Sequence, residues 1–284
     1  MRKSILQICI KCKAGGHLSE MLENMETLTC SKCGYVYLVK KQIEYVIENP
    51  SLASDFLDRI KEVFKKSPLL YKTIGVLIGP LLPNFQFRVK KIVKKLVREG
   101  GIVGINLGSG TSNFDDSIIN VDFAAYQNVN MVADITDLPF GDSTFDLAIL
   151  TEVIEHAENP NMLVSEISRI MKRGGVLVLT SPFMIGYHAS PDDFQRYTLS
   201  GLRSLLSEFS IVEARAFGPT GSLLWIFQEW CALWFSFGNR KLQTVLVMFF
   251  MVLTSPIKIL DFLLSNNPNC SAIASTYLIV AKKI

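Results

Sequence analysis

The sequence predicts an α/β fold with a mostly parallel sheet, preceded by a small metal-dependent module and carrying an apolar helical insertion. Apolar runs alternate with helical patterns from residue 100 onward, four cysteines form two closely spaced pairs near the N-terminus, and two apolar stretches separate the last two predicted strands. These observations divide the chain into a ribbon at 1–47, a helical linker at 48–99 and a main domain at 100–284 with an insertion at 219–269.

The composition and charge of the chain indicate which classes of binding partner to expect. The 284 residues carry a formal net charge of +3, and no basic run is interleaved with aromatic residues, so no nucleic-acid partner is expected. Hydrophobic residues make up 49% of the chain, a high share that is concentrated near the C-terminus. The basic stretch 90–98 has helical spacing and is interpreted as a solvated face, with acidic lipid headgroups as the alternative contact.

The N-terminus has the charge of a signal peptide but not its uninterrupted apolar core. We therefore expect a cytoplasmic protein.

Four cysteines have the spacing of a structural zinc site. Cys9 and Cys12 form one Cys-x2-Cys pair, and Cys30 and Cys33 form the other. Each pair can present two thiolates from one tight turn, so two pairs complete a tetrahedral site for structural Zn²⁺ with no open position. Disulfides and a redox motif are the alternatives; the expected location and the lack of an adjoining βαβ pattern argue against them.

The predicted strands of the main domain place polar residues at their carboxyl ends. A strand at 102–107 runs into a glycine turn, and a second strand at 118–121 ends in Asp122. Ligands bind at this edge of α/β sheets, where a carboxylate can accept hydrogen bonds from ribose hydroxyls. Only 11 residues separate the turn from Asp122, too few for a full crossover helix. The turn consists of Gly108, Ser109 and Gly110.

Further strands extend the predicted sheet. Three of them are expected at 129–132, 145–150 and 176–181. The last two, at 209–217 and 272–281, are expected to pair antiparallel.

The ordered motifs along these strands resemble the class I, Rossmann-like S-adenosylmethionine-dependent methyltransferases of the methyltransferase type 11 kind. The pattern is Ala-Asp-x3-Leu-Pro-Phe-x4-Phe-Asp-x5-Glu-x2-Glu-His at 133–156, then a helix and a Met-Lys-Arg-Gly-Gly motif at 171–175 before another strand. The cysteine pairs are similar to the zinc ribbons, Trm112-like in kind, that precede the catalytic domain of some small-molecule methyltransferases.

The resemblance implies S-adenosylmethionine as the cofactor. Gly108 and Gly110 would let the backbone approach its methionine part, and Asp122 would hold the ribose. The carboxylate of Asp134 and the amide of Ile135 would bind the adenine. Glu152 is expected to line the same pocket. Asn106 departs from the pattern, since relatives usually carry an acidic residue there.

Methyl transfer to a hydroxyl requires removal of a proton, and His156 and His188 are the candidate general bases. A divalent metal held by Glu152, Glu155 and His156 is a further possibility at this helical spacing. The plainer interpretation is that the Glu-His pair orders the loop after the fourth strand of the main domain.

The stretch after the 176–181 strand is the candidate acceptor side. It resembles a His-x-Pro-x-Asp-[Tyr/Phe]-x-Arg-x-Thr pattern of methyltransferases linked to polysaccharide or glycolipid synthesis. The alternative is a helix cap and salt-bridge cluster at the start of a helix over 198–208. The acceptor-side residues are Asp192, Asp193, Arg196 and Tyr197.

The insertion contains apolar stretches at 223–237 and 245–264, which we predict as two amphipathic helices. The leading hypothesis is that 223–264 makes peripheral contact with the inner face of a membrane, near a lipid-linked acceptor. A helical cap on the enzyme's own core and a dimer interface are the alternatives.

Together these features predict a methyltransferase that acts on a small-molecule or lipid-linked, sugar-type acceptor, with O-methylation favoured. One alternative is a catalytically silent methyltransferase-like scaffold in which the Asn106 loop no longer holds cofactor. Another is an RNA methyltransferase, which the near-neutral charge disfavours.

Overall fold

The computed structural model describes residues 8–13, 15, 27–40, 43–47, 84–187 and 192–284. Within these ranges one sheet of ten strands organises the chain. The strands are β1 Thr27–Thr29, β2 Val36–Lys40, β3 Ile43–Tyr45, β4 Gly104–Leu107, β5 Ile118–Asp122, β6 Met131–Val132, β7 Phe145–Thr151, β8 Met171–Pro182, β9 Phe209–Phe217 and β10 Thr276–Lys283.

The sheet has the Rossmann-like methyltransferase arrangement that the sequence predicts. The main-domain strands lie in the order β6-β5-β4-β7-β8-β10-β9. Strands β4 to β8 pair in parallel, whereas β10 runs antiparallel to both β8 and β9. The expected antiparallel pairing of the last two strands is therefore confirmed.

Helices cover both faces of the central strands. In β7 the side chains alternate, so Ile149 packs towards α1 and Leu150 packs towards α2. Both side chains are fully buried, which explains why β7 is a continuous apolar run. The outer side of α1 carries exposed lysines, as the interpretation of 90–98 expected. The helices here are α1 Asn84–Arg98, α2 Pro160–Ile170 and α3 Leu199–Leu205.

Several boundaries differ from the sequence prediction. The motif at 171–175, expected to precede the strand at 176–181, is itself part of β8, whose first residue pairs with Phe145 before the register shifts. The expected helix at 198–208 ends at Leu205, where the chain turns directly into β9. The connection at 108–117 contains turns but no helix, which agrees with its short length.

The ribbon strands continue the main sheet. Strand β3 pairs in parallel with β6, and the amide of Val46 donates to the carbonyl of Val132 over 2.8 Å. Cys30 and Tyr37 belong to the same apolar cluster as Leu107. The ribbon is thus joined to the main domain through both backbone hydrogen bonds and shared packing.

The insertion between β9 and β10 forms a helical hairpin, as predicted, but its helices are not amphipathic in the expected sense. Their exposed sides carry large apolar side chains. The continuous helical run Arg240–Leu264 is long and apolar enough to cross a membrane, by length and composition. The elements are α4 Pro219–Ser236, α5 Arg240–Thr254, a 3-10 segment Ser255–Leu260, α6 Asp261–Leu264 and a 3-10 turn Cys270–Ile273.

Candidate active site

The glycine loop follows β4 and lies directly against the segment after β7. Gly108 has a φ of +64°, and a Cβ built on it would lie 2.4 Å from Cγ2 of Val153. Any side chain at this position would therefore face an unfavourable backbone conformation and a collision. Gly110 also has a positive φ, of +52°, but a Cβ there would meet no described atom within 4 Å. The loop is open on that side, as a closely approaching ligand requires.

Backbone amides hold Asp122 at the end of β5. Its Oδ2 accepts a hydrogen bond from the amide of Gly110 over 2.7 Å, and its Oδ1 accepts from Ala124 over 2.9 Å. A carboxylate oxygen can accept more than one hydrogen bond, so Asp122 keeps capacity for ribose hydroxyls. The structure brings Gly110 and Asp122 together, as the predicted pocket requires.

Beside this loop lie two buried polar atoms with no hydrogen-bond partner among the described residues. They are Oδ1 of Asn106 and the hydroxyl of Ser109. The Asn106 amide nitrogen is occupied, because it donates to Asn120 over 2.9 Å. An unpaired buried polar atom costs about 1–3 kcal/mol. These two atoms therefore fit a polar ligand such as the cofactor.

Asp134 and Ile135 lie in the loop after β6. Strands β5 and β6 end side by side, with Asp122 in register with Val132, so Asp122 and Asp134 belong to the same sheet edge. Asp134 is exposed, and its Oδ1 accepts from the amide and hydroxyl of Thr136. This edge can present a carboxylate and backbone groups to a nucleoside.

The ribbon contacts this same loop. Lys13 donates to both carboxylate oxygens of Asp137, over 2.6 and 2.8 Å, and the amide of Ile8 donates to the carbonyl of Pro139 over 3.1 Å. Sequence reasoning missed this contact, because the two partners of each bond lie more than a hundred residues apart.

The four ribbon cysteines come together. Their sulfur atoms all lie within 4.8 Å of one another. Cys9 and Cys33 have a sulfur separation of 3.6 Å, and Cys12 and Cys30 have one of 3.8 Å. Tetrahedral zinc–thiolate bonds of about 2.3 Å place sulfurs about 3.8 Å apart, whereas a disulfide requires about 2.05 Å. The cluster is compatible with a zinc ribbon.

Two glutamates after β7, Glu152 and Glu155, form what we call the buried acidic pair. Glu152 is half-buried as a residue, with its Oε1 shielded from solvent. Glu155 is fully buried, and neither of its carboxyl oxygens has a hydrogen-bond partner among the described residues. Burial, with repulsion from Glu152 added, raises the pKa of Glu155 well above its usual range. Burial also raises the pKa of Glu152, an effect that Thr180 and the charge of Arg196 partly offset. Thr180 is a contributor that sequence reasoning missed, although it lies at the carboxyl end of β8.

His156 is held between protein groups. Its Nδ1 contacts the carbonyl oxygen of Asp192, and its Nε2 lies 3.5 Å from Oε1 of Glu155. The geometry ties His156 to the ordering of the acceptor segment, the stretch 183–198, of which residues 183–187 and 192–198 are described. Among the described residues, metal-ligand side chains cluster at the cysteines and not at Glu152, Glu155 and His156. His188 lies outside the described residues.

The acceptor segment folds back onto the turn that carries Glu155. The amide of Phe194 donates to the backbone carbonyl of Glu155 over 2.8 Å. Arg196 forms an ion pair with Asp193 and donates to the carbonyl of Gly186 over 3.2 Å. Its Nη1 is buried without a hydrogen-bond partner among the described residues.

The remaining acceptor-side residues differ in their exposure and contacts. Asp192 is exposed, and Tyr197 is half-buried with its hydroxyl donating to Gln195 over 2.6 Å. Thr198 caps α3 by accepting from the amide of Gly201 over 3.1 Å. The segment thus contains the cap and ion pair of the alternative interpretation and also lies beside the buried acidic pair.

Residues 95–179 match the model of a family described as a methyltransferase domain. This match covers the glycine loop, Asp122 and the acidic pair. Together with the sheet order, it supports an S-adenosylmethionine-dependent methyltransferase of class I.

A relative and two solved structures are similar to parts of the chain. An uncharacterized protein from Methanocaldococcus jannaschii is 33% identical over 87 residues, which cover 27% of this chain and 42% of that protein. The chain thus spans less than half the length of this curated relative. Phosphoethanolamine N-methyltransferase 2 from Haemonchus contortus, in complex with S-adenosyl-L-methionine, is 16% identical with a TM-score of 0.46, covering 81% of this chain and 59% of that one.

The second structure is 1,6-didemethyltoxoflavin-N1-methyltransferase from Burkholderia thailandensis. It is 11% identical with a TM-score of 0.45, and the match covers 87% of this chain and 95% of that one.

Proposed function

We propose that this chain transfers the methyl group of S-adenosylmethionine to a hydroxyl oxygen of a small-molecule or lipid-linked, sugar-type acceptor. The observation that carries the proposal is the contact between the glycine loop and the acidic pair. Because Gly108 lies against Val153, the residue after Glu152, the cofactor loop lies beside the segment that carries the acidic pair. A methyl donor and a proton-accepting group can meet there.

The cofactor-holding residues would be those at the carboxyl edge of β4, β5 and β6. Gly108 and Gly110 would admit the methionine part, Asp122 the ribose hydroxyls, and Asp134 with the amide of Ile135 the adenine. The unpaired oxygens of Asn106 and Ser109 would accept or donate hydrogen bonds to polar parts of the same molecule. When bound, S-adenosylmethionine supplies an electrophilic methyl group on a positively charged sulfur.

Glu152 is the proton acceptor that we assign among the described residues. Its Oε1 has no hydrogen-bond partner there, and burial raises the pKa of its carboxyl to about 7. A base titrating near the working pH combines a useful deprotonated fraction with proton affinity. Neutral Glu155 would limit the negative charge beside it, and Arg196 would compensate the remainder.

His156 would position the acceptor segment through the Asp192 carbonyl, and His188 is retained as a second candidate base. The acceptor would lie between this segment and the glycine loop. The saccharide class rests on the resemblance of the Asp192–Thr198 pattern to methyltransferases of polysaccharide and glycolipid synthesis.

Calorimetric titration with S-adenosylmethionine tests the cofactor assignment. We expect micromolar binding by the wild type and at least about tenfold weaker binding by Asp122→Ala, because a hydrogen-bonding carboxylate is removed from the ribose position. Asp116→Ala is the matched control, since it removes an exposed carboxylate from the connection that leads into β5. No binding by folded wild type would favour a silent methyltransferase-like scaffold instead.

A further inference from the structure

The α4–α5 hairpin is apolar on the outside. On α4 a stripe of large side chains faces outward, including Trp234, which is 63% exposed. At the turn between the helices, Phe237 is 90% exposed. On α5 the outward side chains are again large and apolar: Leu242, Val245, Met248, Phe249, Val252 and Leu253.

The inside of the hairpin contains polar and small residues beside apolar ones such as Leu224. Gln228 is buried and donates to the hydroxyl of Thr254 over 2.7 Å, joining α4 to the end of α5. The buried side of α4 also carries Cys231, Ala232 and Ser236. This distribution is the reverse of a helical pair in water, which buries its large apolar side chains and exposes its polar ones. Helix pairs in lipid commonly have small and polar residues at their interface.

The charge pattern of α5 agrees with immersion in hydrocarbon, because residues 242–257 contain no charged side chain. The one charged residue of α4, Glu229, is half-buried and accepts a hydrogen bond from Gln243 of α5 over 3.5 Å. Only 17% of the most apolar window in the run Arg240–Leu264 is buried, so this run is not a core helix of the described part of the protein. A helix lying flat on a membrane surface needs a strongly polar face, which α5 lacks.

We propose that the α4–α5 hairpin is embedded in the hydrocarbon of a lipid bilayer and anchors the methyltransferase domain there. The 18 residues of α4 give it a length of about 27 Å, close to the roughly 30 Å of a bilayer's hydrocarbon core. Arg240 and Lys241, beside the turn, can then reach a headgroup layer with their long side chains.

A bilayer accounts for this surface better than a second copy of the chain does. The exposed apolar side chains continue past α5 into the 3-10 segment and α6, where Ile259 and Leu263 face outward. A two-fold interface covers one patch of each protomer. Lipid can surround α4, α5 and the following turns together.

The base of the hairpin contacts the acceptor segment. In β10, Thr276 is in register with both Pro182 and Phe217, so α4 starts at the same sheet edge as the acceptor segment. A Cβ on Gly186 would lie 2.4 Å from Nε1 of Trp225, so the two elements touch. If the proposed methyl transfer holds, on which this step rests, the bilayer presents the acceptor beside Arg196, which contacts Gly186.

Tryptophan fluorescence can test the anchor, because Trp225, Trp230 and Trp234 are the three tryptophans of the chain and all lie in α4. Full-length protein, purified in detergent, would be diluted into phosphatidylcholine vesicles at high salt. We expect a blue-shifted emission that is quenched by phosphatidylcholine brominated along its acyl chains, together with flotation of the protein with the vesicles.

A double variant and a matched control separate the hairpin from apolar exposure in general. Phe249→Asp with Val252→Asp introduces charges on the exposed side of α5, whereas Phe87→Asp with Val212→Asp makes the same changes at exposed positions elsewhere. We expect the hairpin variant to lose at least about 100-fold in vesicle partitioning and the control to keep wild-type partitioning. Equal losses in both variants would overturn the proposal.

Two further results would also overturn it. One is a wild type that stays in solution with no quenching by brominated lipid. The other is a blue shift that appears with rising protein concentration without lipid, which would indicate a second copy. Titration of the hairpin variant with S-adenosylmethionine distinguishes a failed anchor from a failed cofactor site. If the variant still binds S-adenosylmethionine but no longer floats with vesicles, the hairpin is needed for membrane binding and not for cofactor binding.

Discussion

Strand β7 and helix α5 are both apolar runs, yet they have opposite surroundings. The side chains of β7 from Leu147 to Leu150 are fully buried between helices on both faces of the sheet, whereas Phe249 and Val252 of α5 are more than half exposed. Composition therefore does not decide where a segment lies. The neighbours that cover it do, and for α5 the described part of the chain supplies too few of them.

Placing a charge in each region gives the largest contrast. Ile149→Asp should reduce the free energy of unfolding by at least about 4 kcal/mol, because an unpaired carboxylate enters a closed core. Phe249→Asp should change it by less than about 1 kcal/mol, since the side chain has no covering core to disrupt. Urea unfolding followed by circular dichroism, without detergent or lipid, would measure both.

Comparable destabilisation by the two changes would contradict this comparison. It would mean that another part of the chain or a second copy covers α5. Both Ile149 and Phe249 would then be covered by protein, and only the covering segment would differ.

The pH dependence of stability should distinguish the buried acidic pair from surface carboxyls. The folded protein raises the pKa of Glu155, so it binds this proton more tightly than the unfolded chain does. This contribution is complete below the unfolded pKa near 4.5 and is lost as pH rises towards the folded pKa, by up to about 1.4 kcal/mol per pH unit. Glu155→Gln should therefore gain stability relative to wild type as pH increases.

Urea titrations from about pH 5 to about pH 8 would show this gain as diverging stability curves. Glu158→Gln, which alters an exposed carboxyl, is the matched control. Parallel curves for Glu155→Gln and wild type would argue that Glu155 is ionised and compensated in the folded protein.

Metal removal should loosen the sheet edge at β6 and should not change the hairpin. A chelator would free the ribbon that supports β6 and the Asp134 loop, so we expect S-adenosylmethionine affinity to fall by about tenfold, or 1.4 kcal/mol. The tryptophan emission of the hairpin should stay unchanged, because all three tryptophans lie in α4. Metal analysis and calorimetry before and after chelation test the idea, with zinc readdition as the control. Unchanged affinity after complete zinc loss would show that the ribbon does not support the loop.

The smallest effect is expected at the ion pair between the ribbon and the loop. Lys13 and Asp137 are both about half exposed, so Lys13→Ala should cost less than about 1 kcal/mol in stability. Lys11→Ala, a neighbouring exposed lysine, is the matched control. A loss in thermal unfolding much larger than this would indicate that the pair holds the ribbon in place.

Much of the sheet could be predicted from sequence, because each strand is marked locally. Strand β9 and the start of β5 lie where the apolar runs predict them, and Asp122 ends its strand as expected. The Cys-x2-Cys spacing likewise predicted a cluster that the structure forms. Such features depend on short stretches whose backbone and side-chain preferences agree.

Other features could not be predicted, because they join distant parts of the chain. The pairing of β3 with β6, the Lys13–Asp137 bond and the approach of Gly186 to Trp225 all depend on how separate elements pack. The burial of Glu155 is of the same kind, since its missing hydrogen-bond partners among the described residues depend on the segments packed around it.

The sequence by itself determined the alternation of strands and helices, the glycine loop with Asp122 and the paired cysteines, because periodicity and spacing are local. Tertiary structure alone decided that the ribbon extends the main sheet, that Glu152 and Glu155 share a low-dielectric site, and that the hairpin exposes its large apolar side chains. Burial is a relation between segments, and no single segment encodes it.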